Sequence, residues 1–260
     1  MSIPVIGTAV VSNPYWVSRL LMSIDYPVDN FVIINNNGRG QIDEELNRLT
    51  KITHKYVKNI KVAHLPANIG VASAWNLIIK SYLMSPYWII VNDDVAFGSG
   101  FLEEMVTAAE SDPEVGIIHG NEGDYGVGSW DLFLIRDIII KEFGLFDENL
   151  YPAYCEDADY IMRFAYRPIK KIMSLNSNYY HGNGNKDEYY VTGSQTKKSE
   201  PQIEQKLELS NQLNIEYLTQ KWGPGWRMCN PENLPFKQKE HSISETTFDL
   251  EFVRKKYMGF

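Results

Sequence analysis

The run Tyr87-Trp88-Ile89-Ile90-Val91, followed at once by Asn92-Asp93-Asp94, restricts this chain more than any other stretch. Bulky apolar and β-branched residues in unbroken series read as a buried strand. The abrupt change to polar side chains puts two carboxylates at its C-terminal tip. In an open α/β sheet the crevice beyond the strand ends is where ligands bind. Aspartates at such a tip are hard oxygen ligands, suited to a divalent cation that holds phosphate. A surface turn would use the same residues, since Asn and Asp also favour turns.

The rest of the chain supplies the frame for this strand. Apolar strand segments at Ile3–Val11, Asn30–Ile34 and Ile60–Leu65 alternate with helical patterns at Tyr15–Ile24, Gln41–Thr53 and Asn68–Tyr82. Asn13-Pro14 is an N-cap followed by proline at the first helical position. The Tyr87 strand is then the fourth of a β-α-β series, which implies a largely parallel, right-handed sheet. A helix at Phe101–Ala109, a strand at Val115–His119 and a glycine-rich loop, Gly120–Gly128, come next. Beyond them lie a strand over Trp130–Ile135, a helix over Asp137–Phe143 and an acidic amphipathic helix through Cys155–Phe164. Short strands are expected at Ile169–Leu175 and Asn178–Tyr180, ending at His181. Residues 182–201 are polar and aperiodic, the pattern of a functional lid or of disorder. A helix over Ile203–Trp222, with Leu207, Leu213, Tyr217 and Leu218 apolar, precedes a Pro- and charge-rich tail.

Composition narrows the function. A net charge of −8 argues against a general nucleic-acid or membrane-surface binder. An acidic protein that handles phosphates needs a cation or local basic groups. No apolar run approaches the roughly 20 residues needed to span a bilayer, and Met1-Ser2-Ile3-Pro4-Val5 lacks the features of a signal peptide. The two cysteines, Cys155 and Cys229, match neither a disulfide framework nor a metal knuckle. A cytoplasmic protein with reduced thiols is expected.

Five features now stand in order: Asn35-Asn36-Asn37-Gly38, Asn68-Ile69-Gly70 with Asn76, Asn92-Asp93-Asp94, Glu156-Asp157, and His181 after two late strands. In that order and spacing they resemble the nucleotide-sugar glycosyltransferases of the GT-A fold, nearest to the inverting family 2, over roughly residues 3 to 222. The resemblance implies a Rossmann-like, mostly parallel sheet with helices on both faces and a small acceptor-side sheet. It implies one domain over residues 1–222, with a nucleotide-binding half (1–119), a metal and acceptor half (120–222), and an appendage over 223–260.

The resemblance also assigns roles. The family's DxD motif falls on Asn92-Asp93-Asp94, with Asn in place of the first Asp. Asp94 would ligate Mn²⁺ or Mg²⁺ on the donor diphosphate, with His181 completing the metal site, and Asp93 would lie against the ribose or the sugar. Asn35 stands where the family's Asp reads uracil, and an amide can still pair with a pyrimidine. Thr8 and Val10 would line the base pocket, and Asn68 would lie near the nucleotide at a helix N-terminus. Asp157 would be the general base of an inverting displacement, with Glu156 holding an acceptor hydroxyl and Asp159 as a further candidate. Trp130 and Asp131 would shape the sugar subsite, Trp130 by stacking on a pyranose. Lys186, Lys197 and Lys198 could meet the diphosphate if the 182–201 segment closes.

The expected partners are a nucleotide-sugar donor, UDP-linked by the family pattern, and a glycan or other hydroxyl acceptor. Two readings compete. A sugar nucleotidyltransferase shares the scaffold but carries a basic, glycine-rich loop after the first strand, whereas Gly7-Thr8-Ala9-Val10-Val11-Ser12-Asn13 has no basic residue. A non-catalytic binding module on the same fold would tolerate Asn92.

Overall fold

The structure is a computed structural model and describes residues 2–121, 128–166, 170–175, 179–182 and 201–226, without the side chains of 165, 166 and 201–206. Its strands are β1 (Ile3–Val10), β2 (Val28–Asn35), β3 (Val57–His64), β4 (Tyr87–Asn92), β5 (Val95–Phe97), β6 (Val115–His119), β7 (Leu132–Arg136), β8 (Lys171–Ser174) and β9 (Tyr179–His181). The helices are α1 (Pro14–Met22), α2 (Asp43–Leu49), α3 (Val71–Ser81), α4 (Phe101–Ser111), α5 (Asp137–Phe143), α6 (Glu156–Tyr166) and α7 (Pro201–Trp222).

Seven strands form one sheet in the order β3-β2-β1-β4-β7-β6-β8, and β5 pairs with β9 in a second, two-stranded sheet. β3, β2, β1 and β4 run parallel, as the β-α-β rhythm requires. β7 runs antiparallel between β4 and β6. This mixed arrangement is the expected one: a mostly parallel sheet, helices on both faces, and a small second sheet.

β4 sits in the middle because its side chains can be buried on both sides. Tyr87, Ile89 and Val91 join a core with Val17, Leu20 and Leu21 of α1, Leu46 of α2 and Met105 of α4. Trp88 and Ile90 face the opposite core, with Trp75 and Ile78 of α3, Ile139 of α5 and Tyr160 of α6. The two-residue period of a strand sends alternate side chains to opposite layers. Gly7 lets α3 lie close on β1, since a Cβ there would come within 2.4 Å of Ile78.

Local chemistry explains several boundaries. Asn13 caps α1 through its side chain, which accepts from the Tyr15 N–H at 3.0 Å, with Pro14 beginning the helix. α2 is shorter than the expected Gln41–Thr53, beginning at Asp43 and ending at Leu49. β5 was not expected, because three residues are too few to show a period. Most of the 182–201 segment, with Lys186, Lys197 and Lys198, and the tail beyond Trp226, with Cys229, lie outside the described residues. Among the described residues no helix is long and apolar enough to cross a membrane.

α7 differs from its sequence reading in which face it buries. Leu213 is 55% exposed, while Ser210, Asn214 and Lys221 are buried. The reason is a buried ionic cluster. Lys221 Nζ lies 2.8 Å from Asp147 and 2.7 Å from Asp159, and Asp159 also meets Arg163 at 2.5 Å and the Trp222 indole N–H at 2.8 Å. Asp159, fully buried among these partners, is therefore a structural anchor. Removing one ion from such a cluster leaves the others buried without compensation, at about 3–5 kcal/mol. Lys221→Met should lower the free energy of unfolding by about that amount in urea titration, without changing the wild-type fold as seen by circular dichroism.

Candidate active site

A cavity of about 630 Å³ opens at the C-terminal ends of β1, β2 and β4, the place where the strand order reverses around β1. Its walls come from distant parts of the chain. Ala9, Val11, Asn36, Asn37, Arg39 and Asn68 line one part; Asp93, Asp94, Trp130 and Asp131 line another; Tyr151, Tyr154, Glu156, Asp157 and Leu207 complete it.

The β1–β2 part departs from the sequence reading by one residue. Thr8 and Val10 face the core layer, and Ala9 and Val11 face the cavity. Thr8 is fully buried and its hydroxyl has no partner. Strand alternation makes a one-residue error a change of face. Asn35 is also withdrawn from the cavity. Its Nδ2 donates to Asp43 at 2.5 Å and approaches His64 Nδ1 at 2.9 Å, and its Oδ1 accepts from the Asn37 N–H. Held by these partners and 1% exposed, Asn35 does not line the cavity.

Asn36 takes part in shaping the cavity by bridging two segments. Its Oδ1 accepts from the Ile69 N–H at 2.8 Å and its Nδ2 donates to the Gly70 carbonyl at 3.2 Å. Asn37 donates to the Val11 carbonyl. The sequence reading missed Arg39, the one Lys or Arg among the described cavity-lining residues. Its signal was the glycines on either side, Gly38 and Gly40, both with positive φ, which hold an exposed turn at the rim.

At the β4 tip, Asp93 and Asp94 share the cavity with Asp131, because Asn92 N–H donates to the Asp131 carbonyl at 2.7 Å beside the β4–β7 ladder. The β5–β9 pair then delivers His181. Val95 is registered against His181, and the Gly182 N–H donates to the Asp94 carbonyl at 2.9 Å. His181 Nε2 lies 3.2 Å from Asp94, and Nδ1 lies 3.1 Å from Asp131. Burial opposes its charge, but the hydrogen bond to Asp94 and the charges of Asp131 and Asp94 outweigh it and raise the pKa to about 9. His181 thus stands as an imidazolium between two carboxylates. Burial, and next the Asp94 charge, push Asp93 well above the ordinary carboxylate range.

Asp131 also accepts from Tyr179 Oη at 2.9 Å and from Ser129 Oγ. Trp130 reaches the cavity, but its ring is packed among His119, Phe133, Phe146 and Tyr160. The expected stacking platform for a sugar is therefore largely a core residue. Tyr151, 52% exposed on the cavity wall, presents more open aromatic surface.

Among the described residues no group of three or more His, Cys, Asp or Glu side chains is arranged to hold a metal ion. The donor chemistry nevertheless suits one. Asp94 and His181 meet at one point, and carboxylate oxygen with imidazole nitrogen is a donor set for Mn²⁺. Cations that act on phosphates commonly take one or two protein ligands and the rest from substrate and water. A cation there would displace the proton that His181 now presents to Asp94.

Opposite this cluster, α6 begins with Glu156 and Asp157. The chain enters through Tyr154 and Cys155, whose φ values of 78° and 73° lie in the left-handed region. Non-glycine residues there cost of order 1–3 kcal/mol each and persist where surrounding contacts hold them. Glu156 is buried, and one of its carboxyl oxygens has no partner. Burial, then the Asp157 charge, raise its pKa to about 8, and burial also raises that of Asp157. The α6 N-terminus favours negative charge, but desolvation is the larger effect here.

Comparison with known proteins follows the same outline. Residues 16–165 match the model of glycosyl transferase family 2. The chain belongs to that family. A galactofuranosyl glycosyltransferase from Leishmania donovani is 24% identical over 247 residues, covering 69% of this chain and 56% of that relative. Among solved structures, the mannosyltransferase PcManGT from Pyrobaculum calidifontis, with GDP-Man and Mn²⁺, has a TM-score of 0.54 at 13% identity. It aligns over 66% of this chain and 54% of its own. TarS 1–349 from S. aureus with UDP has a TM-score of 0.52 at 14% identity, over 70% of this chain and 60% of its own. These structures share the GT-A fold, and this chain spans little more than half their length. The family membership weighs against the sugar nucleotidyltransferase reading.

Two substitutions check the site. Thr8→Val removes a buried hydroxyl without a partner and should raise stability by about 1 kcal/mol in thermal unfolding, with nucleotide binding unchanged. Glu156 has a folded pKa of about 8 against an ordinary 4.5. A raised carboxyl pKa stabilises the fold fully below the unfolded value and loses that contribution as pH rises through the folded one. The melting temperature of Glu156→Gln relative to wild type should therefore climb between about pH 5 and pH 9.

Proposed function

We propose that the protein transfers a glycosyl group from a UDP-sugar to an acceptor hydroxyl, with inversion and with Asp157 as general base. The observation that carries this reading is that Asp157 of α6 and Asp93-Asp94 of β4 line one cavity. A base and a diphosphate-binding tip must share a site if an acceptor oxygen is to attack the anomeric carbon while the diphosphate departs. Asp157 would take the acceptor proton as the new C–O bond forms and the bond to the diphosphate breaks. Its pKa, raised by burial, makes it a stronger base than an exposed aspartate.

Glu156 would carry its proton at neutral pH and donate a hydrogen bond to a second acceptor hydroxyl. Arg39, Asn37 and Asn68 would hold the nucleoside end, with Asp93 against the ribose or the sugar. Asp94 and His181 would hold Mn²⁺ or Mg²⁺, with diphosphate oxygens supplying further ligands. When bound, such a cation neutralises charge developing on the leaving diphosphate. PcManGT with GDP-Man and Mn²⁺, and TarS with UDP or UDP-GlcNAc, support a nucleotide sugar as donor.

The test is release of nucleoside diphosphate from a panel of UDP- and GDP-sugars, with and without Mn²⁺ and with glycan acceptors. Wild type should release UDP in an acceptor- and Mn²⁺-dependent manner. Asp157→Asn should lower turnover by about 10²–10⁴-fold while leaving UDP affinity within about twofold. Asp94→Asn should instead weaken UDP binding only when Mn²⁺ is present. If no donor is turned over, yet UDP and Mn²⁺ still stabilise the fold, the protein is a binding module; stabilisation by no nucleotide at all removes the donor site.

A further inference from the structure

The acidic pair is held by a helix that lies outside the matched family segment, which ends at residue 165. Asn214 of α7 is 4% exposed, and its Nδ2 donates to the Ala153 carbonyl at 3.0 Å and the Tyr154 carbonyl at 2.9 Å. Ser210, one turn earlier, donates to the Tyr151 carbonyl at 2.9 Å and lies 3.3 Å from that of Ala153. The Cys155 thiol donates to Asn211 at 3.6 Å. One polar stripe of α7 therefore grips the loop just before Glu156 and Asp157, and Leu207 on the same helix reaches the cavity.

The peptide planes that contain the Ala153 and Tyr154 carbonyls flank Tyr154, so their orientations set its φ and ψ. Tyr154 and Cys155 both sit in the left-handed region that side-chain-bearing residues avoid. A backbone in that state needs surrounding contacts to specify it, and the two bonds from Asn214 act on the planes concerned. Released from them, the turn would move toward ordinary φ, and the first residues of α6 would re-aim. The buried ions of Lys221, Asp147 and Asp159 fix the far end of α7, so the grip has a rigid support.

We propose that Asn214 and Ser210 are positioning residues for the transfer reaction, holding the strained Tyr154–Cys155 turn so that Glu156 and Asp157 point into the donor cavity. The inference rests on the reading of Asp157 as the base. It also predicts that the β1–β2 end of the cavity is independent of α7, since Ala9, Val11, Asn37 and Arg39 are carried by those strands and the turn after them. Asn68, by contrast, meets the gripped loop through the Tyr151 hydroxyl at 3.2 Å.

The experiment compares Asn214→Ala, Asn214→Asp, Ser210→Ala and Ser210→Thr in the full chain, with the exposed Leu213→Ala as control. Two readouts are taken: UDP–Mn²⁺ affinity with turnover of a UDP-sugar donor, and titration of the Glu156 carboxyl by ¹³C NMR. Asn214→Ala should lower kcat by about 10²-fold, the scale of an ångström-sized misplacement, with UDP affinity within about twofold. Its Glu156 titration should move down toward the ordinary range as the side chain leaves its buried place. Asn214→Asp keeps the shape but loses both donors and should do no better than Asn214→Ala. Ser210→Thr, which keeps the hydroxyl, should retain more activity than Ser210→Ala. Unchanged kcat and Glu156 titration in folded Asn214→Ala would overturn the proposal, as would a parallel loss of UDP affinity. Should Asn214→Ala not fold, the Ser210 pair decides by the same criteria. If the wild type turns over no donor, the catalytic reading fails, and the Glu156 titration alone then judges the positioning.

Discussion

Five carboxyl groups, of Asp93, Asp94, Asp131, Glu156 and Asp157, line one cavity of about 630 Å³. Keeping that many acids together out of water is the constraint around which the molecule is built, because desolvation and mutual repulsion both oppose ionisation. The protein answers differently on the two walls. Around the β4 tip, His181 places a positive ring between Asp94 and Asp131. At the start of α6 no such ion stands among the described residues: Glu156 and Asp157 adjoin a helix N-terminus and have raised pKa values. One wall is thus suited to positive charge and phosphate, the other to proton transfer.

The same division appears in how the walls are held. The β4 wall is fastened by backbone pairing: β4 against β1 and β7, and β5 against β9. The α6 wall is fastened by side chains, with Asn214 and Ser210 on loop carbonyls and a buried cluster of Lys221, Asp147, Asp159 and Arg163 behind them. Buried ions are seldom the most stabilising way to fill a core. They are directional, however, and direction is what a strained turn before α6 requires.

The legible parts of the sequence were those with local causes. The alternation of apolar runs and helical faces exposed the parallel half, and Asn13-Pro14 marked the start of α1. The carboxylates at residues 93, 94, 156 and 157 stood out as charges adjoining buried elements, and all four reach the cavity. The errors came from partners distant in sequence. Asn35 looked open to a base until His64 and Asp43 took up its amide. Trp130 looked like a sugar platform until Phe133, Phe146 and Tyr160 enclosed it. Thr8 and Val10 differed from Ala9 and Val11 only by the face of a strand. In α7, a polar stripe turned inward because its partners were carbonyls and ions, which no hydrophobic period reveals.

By itself, then, the sequence determined the α/β class, the central strand and the acidic groups at its tip, since these follow from periodicity and from abrupt changes of polarity along the chain. Tertiary structure alone decided which acids meet, which amides are free, and which helix secures Glu156 and Asp157. Those outcomes depend on distances between residues far apart in the chain, and on burial, which shifts a carboxyl group's proton affinity only after the fold has removed water from it.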